Sequence, residues 1–433
     1  MDRIEQVMYK DMENQDNFTR NQYDGQYILC NECDLVVEVP RITNQHNALC
    51  PRCNNRLVSY RQQTNQLALV YAVCALMMFI LASAFYMVNI RIIGSITNMD
   101  LFLIPKMLIH DDYTSLAFLF ITFVLVLPVI TLIILIILCC HESLPKWLKT
   151  NLLISLERLQ NWCMAEIFLA GLIVSFVKLI SYGDIGINLS FIPFCLFALM
   201  QIKALSLFSA RQVWQSISPT IHINTPFVAG KSGISQNIRS CHCCHAILPI
   251  NKTVCPRCQM KGTARYKDSI QWTMALLLTS TILYIPANVY PIMATLFVGS
   301  LSGSTVLDGV SYMWQSGDYP VAAVIFIASI IIPIFKIMAL CWLCYYAIYR
   351  SKPTEKASAK MNKIYNVVEF IGRWSMIDIF VVSVTATLVN NGEMIAVYPA
   401  KGAVYFAIVV IITMIASHKY DPRLIWDKVK NNE

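Results

Sequence analysis

Residues Leu116–Cys139 read LAFLFITFVLVLPVITLIILIILC, a run of 24 residues without a charged side chain. A helix rises 1.5 Å per residue, so a run of this length can cross the ~30 Å hydrocarbon core of a membrane. Seven further stretches are similarly apolar: Leu67–Ile90, Cys163–Ser181, Leu189–Leu207, Ile270–Tyr290, Val321–Tyr346, Ser375–Val389 and Ala403–Ala416. The sequence therefore predicts an all-α polytopic membrane protein with eight transmembrane helices.

The composition of the 433-residue chain agrees with lipid as its main solvent, since 56% of the residues are hydrophobic and only 14% are charged. Continuous apolar runs, rather than alternating ones, favour helices over a membrane β-barrel. The first 66 residues are polar and contain no apolar core of a secretory signal. We therefore expect no cleaved signal peptide.

The formal net charge of +8 is distributed unevenly between the two sides of the membrane. Twenty-eight Lys and Arg residues fall in the two terminal segments and the loops on one side, and only Arg91, Lys106 and Lys401 fall in the loops on the other. By the positive-inside rule the richer side is cytosolic, with both termini on it. The positive-inside rule therefore accounts for the net positive charge, and we expect no nucleic-acid partner.

Eight of the sixteen cysteines form four CxxC pairs. The first two pairs are Cys30/Cys33 and Cys50/Cys53, and the other two are Cys241/Cys244 and Cys255/Cys258. Two CxxC pairs separated by a short spacer are typical of a closed, structural four-cysteine zinc site. The alternative is a thioredoxin-like redox centre, which would need a single pair at the start of a helix. The sequence predicts two zinc ribbons, each with one structural zinc ion, on the cytosolic side.

The two halves of the chain resemble each other. CPRC occurs at 50–53 and again at 255–258, and Pro128 corresponds to Pro333. The segment Trp162–Phe168 (WCMAEIF) corresponds to Trp374–Phe380 (WSMIDIF), so the offsets run from 205 to 212. Because each half has an even number of predicted spans, the sequence predicts two parallel four-helix repeats, each preceded by a ribbon.

These features predict seven segments along the chain. They are a cytosolic tail (1–26), the first ribbon (27–60), the first transmembrane module (67–208), a cytosolic linker (209–237), the second ribbon (238–262), the second module (270–417) and a cytosolic tail (418–433).

Charged residues inside a membrane are costly and are often functional. Lys336 lies inside the sixth predicted span, three residues after an expected kink at Pro333, and Asp378 lies at a comparable depth in the seventh. The two could form an ion pair, with either a structural role or a role in transport. Glu166 is the counterpart of Asp378 in the first half, whereas Thr131 stands where Lys336 would be.

Two further polar residues lie within the predicted spans. Lys178 lies near the outer end of the third span, where its side chain could equally reach the headgroups. Asn288 belongs to Pro286-Ala-Asn-Val-Tyr-Pro291, which is either a broken helix lining a cavity or a plain helix terminus. The sequence contains no phosphate-binding loop or catalytic triad, so we expect no enzymatic activity.

The paired ribbons and several long motifs resemble the paraquat-inducible protein A family over nearly the whole chain. The motifs are Met164–Lys178, Gly317–Val324, Gly372–Asp378 and Asp421-Pro-Arg-Leu424. One departure is Ser83-Ala-Phe-Tyr86, where the first repeat of the family usually reads Asn-x-x-Pro.

This resemblance implies an inner-membrane component of a phospholipid transport system in Gram-negative envelopes. With that function, we expect a transport cavity between the halves lined by Glu166, Lys178, Asn288, Lys336 and Asp378. It also implies a periplasm-spanning partner with mammalian-cell-entry (MCE) domains and, in some systems, an outer-membrane lipoprotein. Two alternatives remain open at this point: a membrane anchor for the MCE partner that transports nothing, and a membrane sensor of redox state or metal.

Overall fold

The computed structural model describes residues 27–39, 47–59, 64–92, 95–140, 144–179, 184–217, 228–297, 300–317, 319–350, 353–389 and 395–429. The predicted N-terminal tail (1–26) lies outside these residues, and so does part of the predicted linker.

Helices dominate both halves of the chain. The first half contains β1 (Tyr27–Leu29), β2 (Val36–Glu38), β3 (Asn47–Leu49), β4 (Arg56–Ser59), α1 (Thr64–Ala84), β5 (Val88–Ile92), β6 (Ser95–Met99), α2 (Leu103–His110), α3 (Thr114–Phe120), α4 (Leu127–Cys140), α5 (Lys146–Leu159), α6 (Ala165–Leu179), β7 (Asp184–Ile187), α7 (Phe191–Leu207) and α8 (Ala210–Ile217). The second half contains β8 (Ile238–Ser240), β9 (Ile247–Pro249), α9 (Ser269–Val289), β10 (Met293–Phe297), β11 (Ser300–Ser304), α10 (Val306–Gln315), α11 (Tyr319–Phe326), α12 (Ile332–Tyr349), α13 (Glu355–Trp374), α14 (Ile377–Leu388), β12 (Ile395–Pro399) and α15 (Lys401–Lys419).

Six helical segments among the described residues are long and apolar enough to cross a membrane, or seven if the bent pair α7 and α8 counts as one. The seventh predicted span, Ser375–Val389, corresponds to α14, which has only 12 residues. At 1.5 Å per residue this helix is about 18 Å long, shorter than the hydrocarbon core. The predicted count of eight spans is therefore not confirmed, although the mostly helical membrane architecture is.

The most extensive contacts between helices are those of α1 with α7 and of α9 with α15. In α1 the residues facing the protein are small and fully buried: Ala68, Ala72, Ala75 and Ala82. In α9 the buried residues include Ser269, Thr273 and Ser280. Small side chains allow two helix backbones to approach closely, which is how helices gain contact energy in lipid. The larger side chains of α1 and α9 face outward, where lipid would cover them.

The predicted first span extends too far at its C-terminal end. The sequence predicts that it reaches Ile90, but α1 ends at Ala84 and the chain then forms a strand. From Val88 to Ile92, branched apolar residues alternate with Asn89 and Arg91, and this period of two suits a strand better than a helix. β5 pairs with β6 and β7, and β10 pairs in the same way with β11 and β12. Sequence analysis missed both three-stranded sheets.

The two sheets share the same register. Val88 pairs with Met99 and Ile187, and Met293, 205 residues after Val88, pairs with Ser304 and Pro399. These partners lie 205 and 212 residues apart, the same offsets that relate the sequence motifs of the two halves.

Gly402 lies where the second sheet meets α15. A Cβ atom on Gly402 would lie 2.5 Å from the carbonyl oxygen of Tyr290 and 2.6 Å from that of Pro291. These two oxygens belong to the backbone and cannot rotate away. Gly402→Ala is therefore expected to lower the free energy of unfolding by about 1–3 kcal/mol, the usual cost of overpacking.

Chemical denaturation in detergent micelles measures this loss for Gly402→Ala. The matched control is Gly309→Ala in α10, where no atom lies within 4 Å of the added Cβ. Alanine is the better helix former, so the control should be neutral or slightly stabilising. Equal stability of the two variants would contradict the close packing at Gly402.

A π-helical turn precedes each of the two matched prolines. Residues Ile121–Val126 form such a turn before α4, and Ile327–Ile331 form another before α12. Pro128 and Pro333 are the second residues of those helices. Proline lacks an N–H and crowds the preceding turn, and a wider π turn accommodates that defect. The structure therefore shows a π turn before Pro333, and the expected kink itself stays a prediction.

Candidate functional site

All four CxxC pairs adopt the same backbone turn. In the first, the Cys30 N–H donates to the Leu35 carbonyl, and the Asp34 N–H donates to the Cys30 carbonyl. The same two hydrogen bonds recur from Cys50, Cys241 and Cys255. The residue after each pair has a positive φ: Asp34 (59°), Asn54 (62°), His245 (52°) and Gln259 (60°). Asp, Asn and His are the non-glycine residues that most readily adopt this conformation.

The turns bring the thiols together in two clusters, each of which could hold a metal ion. Within each cluster all four sulfur atoms lie within 4.8 Å of one another. The closest pairs, such as Cys33 Sγ to Cys50 Sγ and Cys244 Sγ to Cys255 Sγ, are 3.5 Å apart. Four thiolates bound to zinc at ~2.3 Å would be about 3.8 Å apart, whereas a disulfide needs about 2.05 Å. The spacing fits a tetrahedral ion and excludes disulfides within these clusters.

The apolar contacts of the ribbons cross between the two halves. The first ribbon precedes the first module, yet Cys33 and Leu35 belong to the same apolar cluster as Leu343 of α12 and Trp426. The second ribbon precedes the second module, yet its four cysteines cluster with side chains of the first module and α8. Three of these are Leu138 of α4, Leu153 of α5 and Trp214 of α8. Each ribbon is therefore seated on the half of the chain that it does not precede.

Polar contacts of the first ribbon reinforce this crossing. Between its cysteines, Glu32 accepts hydrogen bonds from Asn362 and Asn366 of α13. Arg52 forms an ion pair with Glu355 at 3.2 Å, and its guanidinium lies 4.8 Å from the centre of the Trp426 ring. These contacts attach both knuckles of the ribbon to the second half.

Arg265 connects the first ribbon to the C-terminal segment. Its guanidinium donates to Asp34 Oδ2 at 2.9 Å and to Asp427 Oδ1 at 2.5 Å. Burial lowers the pKa of Arg265, but the hydrogen bonds and charges of Asp427 and Asp34 outweigh burial and raise it above its usual range. Asp34 also accepts from the Ile234 N–H, so the turn after Cys33 is anchored to residues on both sides of the second ribbon.

A buried ion pair lies just after α15. Asp421 and Arg423 are 0% and 3% exposed, and their closest atoms are 2.8 Å apart. Arg423 also donates to His242 Nδ1, so the other ring nitrogen carries the proton that bonds to the Thr263 carbonyl. Burial raises the pKa of Asp421, but hydrogen bonds from Arg423 and its charge hold it below its usual range. The Asp421-Pro-Arg motif therefore fixes the second ribbon to the end of α15.

A cavity of about 1050 Å³ lies between the second ribbon and the ends of α5, α7 and α15. Its walls include Trp162 and Phe208, ribbon residues such as Arg239 and Lys261, and Lys419. A smaller cavity of about 190 Å³ shares His242, Tyr266 and His418 with it. Sequence analysis missed both, because the ends of α5, α7 and α15 and the second ribbon are far apart in the chain.

Lys336 is 1% exposed in α12, at the depth that the sequence predicted. Its Nζ makes no hydrogen bond to any described residue, so the predicted ion pair with Asp378 is not formed among them. A Cβ on Gly372 of α13 would lie 3.0 Å from this Nζ, so the amine packs against a glycine.

Glu166 and Asp378 occupy equivalent places, each being the second residue of its helix, α6 or α14. Acidic side chains in the first turn of a helix interact favourably with its dipole. Glu166 also lies 4.0 Å from Arg373 at the end of α13, so it pairs across the two halves. These positions suit a structural role as well as a functional one.

The other two predicted transport residues are less informative. The Asn288 side chain donates to the Tyr284 carbonyl one turn earlier, and α9 continues to Val289. The segment around Pro286 is therefore a helix terminus and not a break. Lys178 belongs to α6, but its side chain lies outside the described residues. None of the four residues whose side chains the structure describes lines either cavity, so the cavity between the halves stays a prediction.

The contact between α6 and α14 is instead filled by aromatic rings. Phe168 of α6 packs edge-on against Phe380 of α14 with ring centres 5.8 Å apart. Phe120 of α3 packs edge-on against both rings. A Cβ on Gly171 would lie 3.2 Å from the Phe380 Cβ, so the two helices approach closely here.

Comparisons with known proteins agree along nearly the whole chain. The family model described as "Paraquat-inducible protein A" matches residues 66–218 and 270–430. The intermembrane transport protein PqiA of Escherichia coli K12 is 46% identical over 94% of this chain and 97% of its own length. A probable intermembrane transport protein of Haemophilus influenzae is 29% identical over 92% of this chain and 95% of its own. The lipophilic envelope-spanning tunnel protein A of E. coli K12 is 28% identical over 93% of this chain and 92% of its own. No solved structure matches the chain significantly.

Proposed function

Because the chain belongs to the paraquat-inducible protein A family, we propose that it is the inner-membrane component of an intermembrane transport system for phospholipid. The observation that carries this proposal is the 46% identity, over nearly the full length of both chains, to a relative named as an intermembrane transport protein. None of the three relatives compared is named as an enzyme, an anchor or a sensor, so the alternative functions are not favoured.

The proposed partner is a periplasm-spanning MCE-domain protein, with an outer-membrane lipoprotein as a further member in some systems. This assignment rests on the family resemblance. The proposed orientation places both ribbons and both termini in the cytosol, and the charge asymmetry of 28 Lys and Arg residues against three supports it. The two three-stranded sheets would then face the periplasm, where a partner is accessible.

The proposed architecture is two parallel four-helix repeats within 67–208 and 270–417. It is supported by the identical sheet registers at offsets of 205 and 212 residues. It is supported also by the family model, which matches the chain in two segments of similar length. In this arrangement α14, with 12 residues, would be the counterpart of α6, which has 15.

We assign zinc to both clusters, with Cys30, Cys33, Cys50 and Cys53 holding one ion and Cys241, Cys244, Cys255 and Cys258 holding the other. Four thiolates leave no open coordination position, so the zinc would stabilise the fold and would not catalyse a reaction. Since each ribbon contacts the opposite module, the ribbons would hold the cytosolic ends of both sets of helices in register.

The proposed transport residues are Glu166, Lys178, Asn288, Lys336 and Asp378. Lys336 gives the sharpest test, because its amine has no hydrogen-bond partner among the described residues. Lys336→Met removes a buried charge without leaving an uncompensated one, so the yield of folded protein should stay the same or rise. If the amine contacts the lipid phosphate, the transfer rate should fall by roughly tenfold or more, as when a hydrogen bond to a charged group is lost.

The measurement is the transfer of a fluorescent phospholipid from vesicles containing the protein to the purified MCE-domain partner. The matched control is Lys203→Met, which removes an exposed lysine from α7 and should leave transfer unchanged. Full activity of Lys336→Met would remove Lys336 from the transport path. Absence of transfer by the wild-type protein would overturn the proposed function itself.

A further inference from the structure

The 1050 Å³ cavity is formed by five separate parts of the chain, and one of them is Arg56 of the first ribbon. One wall comes from the end of α5 and the turn after it, and a second from the end of α7. The second ribbon supplies the third wall, and the last turn of α15 supplies the fourth. Its volume is at the upper end of the range for cavities that hold small ligands, about 300–1,000 Å³. The space therefore suits a ligand larger than a simple ion.

The charged side chains that line the cavity are almost all positive. Six Lys and Arg side chains line the cavity: Arg56, Arg158, Arg239, Lys261, Lys267 and Lys419. The only acidic residue in the lining is Glu157, which accepts a hydrogen bond from Trp214. None of the six cations forms an ion pair with a described residue. Their charges are thus not neutralised by a described carboxylate.

The burial of these side chains divides them into two groups. Arg239 is 1% exposed and is held in place because it donates to the Lys252 carbonyl at 3.1 Å. The other five are exposed and can move toward a ligand. The five exposed cations can donate charge-assisted hydrogen bonds to a phosphate group, which accepts several of them. The buried guanidinium of Arg239 adds a fixed positive charge beside them.

The apolar part of the lining lies on helix ends. Trp162 follows α5, Leu205 and Phe208 lie at the end of α7, and Ile415 lies near the end of α15. α15 is long and apolar enough to cross a membrane, and so is α7 if the bent pair α7 and α8 counts as one span. The proposed topology therefore places this part of the cavity at the membrane boundary. A ligand that fits both kinds of wall has a negatively charged head and an apolar body.

We propose that this cavity binds the phosphate-bearing head group of an anionic phospholipid drawn from the membrane leaflet on the ribbon side. The proposal rests on the proposed function, and it adds the lipid class and the leaflet from which lipid would be taken. A zwitterionic head group would gain less, because its own cation would be repelled by the basic walls. Inorganic phosphate shares the anionic chemistry but could not use the apolar walls.

The test uses the full-length protein with Arg158→Gln, Lys261→Gln and Lys419→Gln combined. All three side chains are exposed, so their replacement should not affect folding. Each cation near an anionic lipid surface contributes a factor of roughly five to affinity, so the triple variant should bind anionic lipid about 100-fold more weakly. Native mass spectrometry in detergent containing phosphatidylglycerol or phosphatidylethanolamine measures the lipid that each protein retains.

A matched control removes the same charge from the same side of the molecule. Lys356, Lys360 and Lys363 are exposed on α13 and do not line the cavity. Replacing these three with Gln should leave retention of phosphatidylglycerol unchanged. The proposal predicts that only the cavity variant loses phosphatidylglycerol, that phosphatidylethanolamine is retained weakly by all the proteins, and that inorganic phosphate does not displace the bound lipid.

Three outcomes would overturn the proposal. They are equal losses in both triple variants, no loss in either, and displacement of phosphatidylglycerol by inorganic phosphate at low concentration, which would assign the site to a free anion. A failure of the cavity proposal can be distinguished from a failure of the proposed transport function. Lipid transfer to the partner that persists in a protein without this binding would refute only the cavity proposal.

Discussion

Replacing Cys50 with serine is expected to reduce the metal content from about two ions to about one per chain and to lower the yield of folded protein. Cys50 is 1% exposed, and its Sγ lies 3.5 Å from that of Cys33. Zinc binding contributes ~10–16 kcal/mol to the folding of small zinc modules. Losing one thiolate therefore removes a large share of the stability of the first ribbon.

Elemental analysis of the purified protein gives the metal count, and hydrogen exchange locates the damage. Because the first ribbon is seated on the second half, protection should fall in α13 and the C-terminal segment and should persist in α5 and α8. The control is Cys74→Ser in α1, which is outside both clusters and should retain both ions. A wild-type protein without metal and with disulfides in the CxxC pairs would refute the assignment.

Arg423→Leu is expected to lower the free energy of unfolding by about 3–5 kcal/mol, because it leaves the buried carboxylate of Asp421 without its counter-charge. The variant also removes the hydrogen bond to His242 of the second ribbon. Arg350→Leu is the matched control, since Arg350 is exposed and makes no ion pair with a described residue. Thermal unfolding in detergent compares the two.

The Asp421–Arg423 pair should also make stability depend on pH. The pKa of Asp421 is lowered on folding, so its contribution is complete above the unfolded pKa of about 4 and is lost as the pH falls through the folded pKa. The double variant Asp421→Asn/Arg423→Leu should regain part of the lost stability and lose this acid dependence. Equal stability of Arg423→Leu and Arg350→Leu would show that the pair contributes nothing.

Sequence reasoning was most successful where local pattern determines structure. Long apolar runs such as Leu116–Cys139 gave the positions of the membrane helices, and CxxC spacing gave both cysteine clusters. Apolarity also misled, because it concealed the strand Val88–Ile92 at the end of the first run. It likewise concealed the shortness of α14, whose 12 residues are almost all buried by neighbouring helices.

The candidate site was less accessible, because its contacts join distant parts of the chain. Nothing near Asp34 in sequence indicates that its carboxylate binds Arg265, 231 residues later. In the sequence analysis Asp421 and Arg423 were used only as part of a family motif. Their opposite charges, two residues apart, could have suggested that they form a pair. The basic cavity has walls from five segments, so no single stretch of sequence carries its pattern.

The crossed seating of the ribbons has a consequence for how the protein is made. A chain emerges from the ribosome starting at its N-terminus, so the first ribbon is synthesised before any of the surfaces that it contacts in the second half. Its final seat includes Trp426, which belongs to the second half and follows α15. Seating of the first ribbon must therefore wait until the second half has been synthesised. Fragments cut between the halves would each keep a ribbon whose apolar seat is on the other fragment.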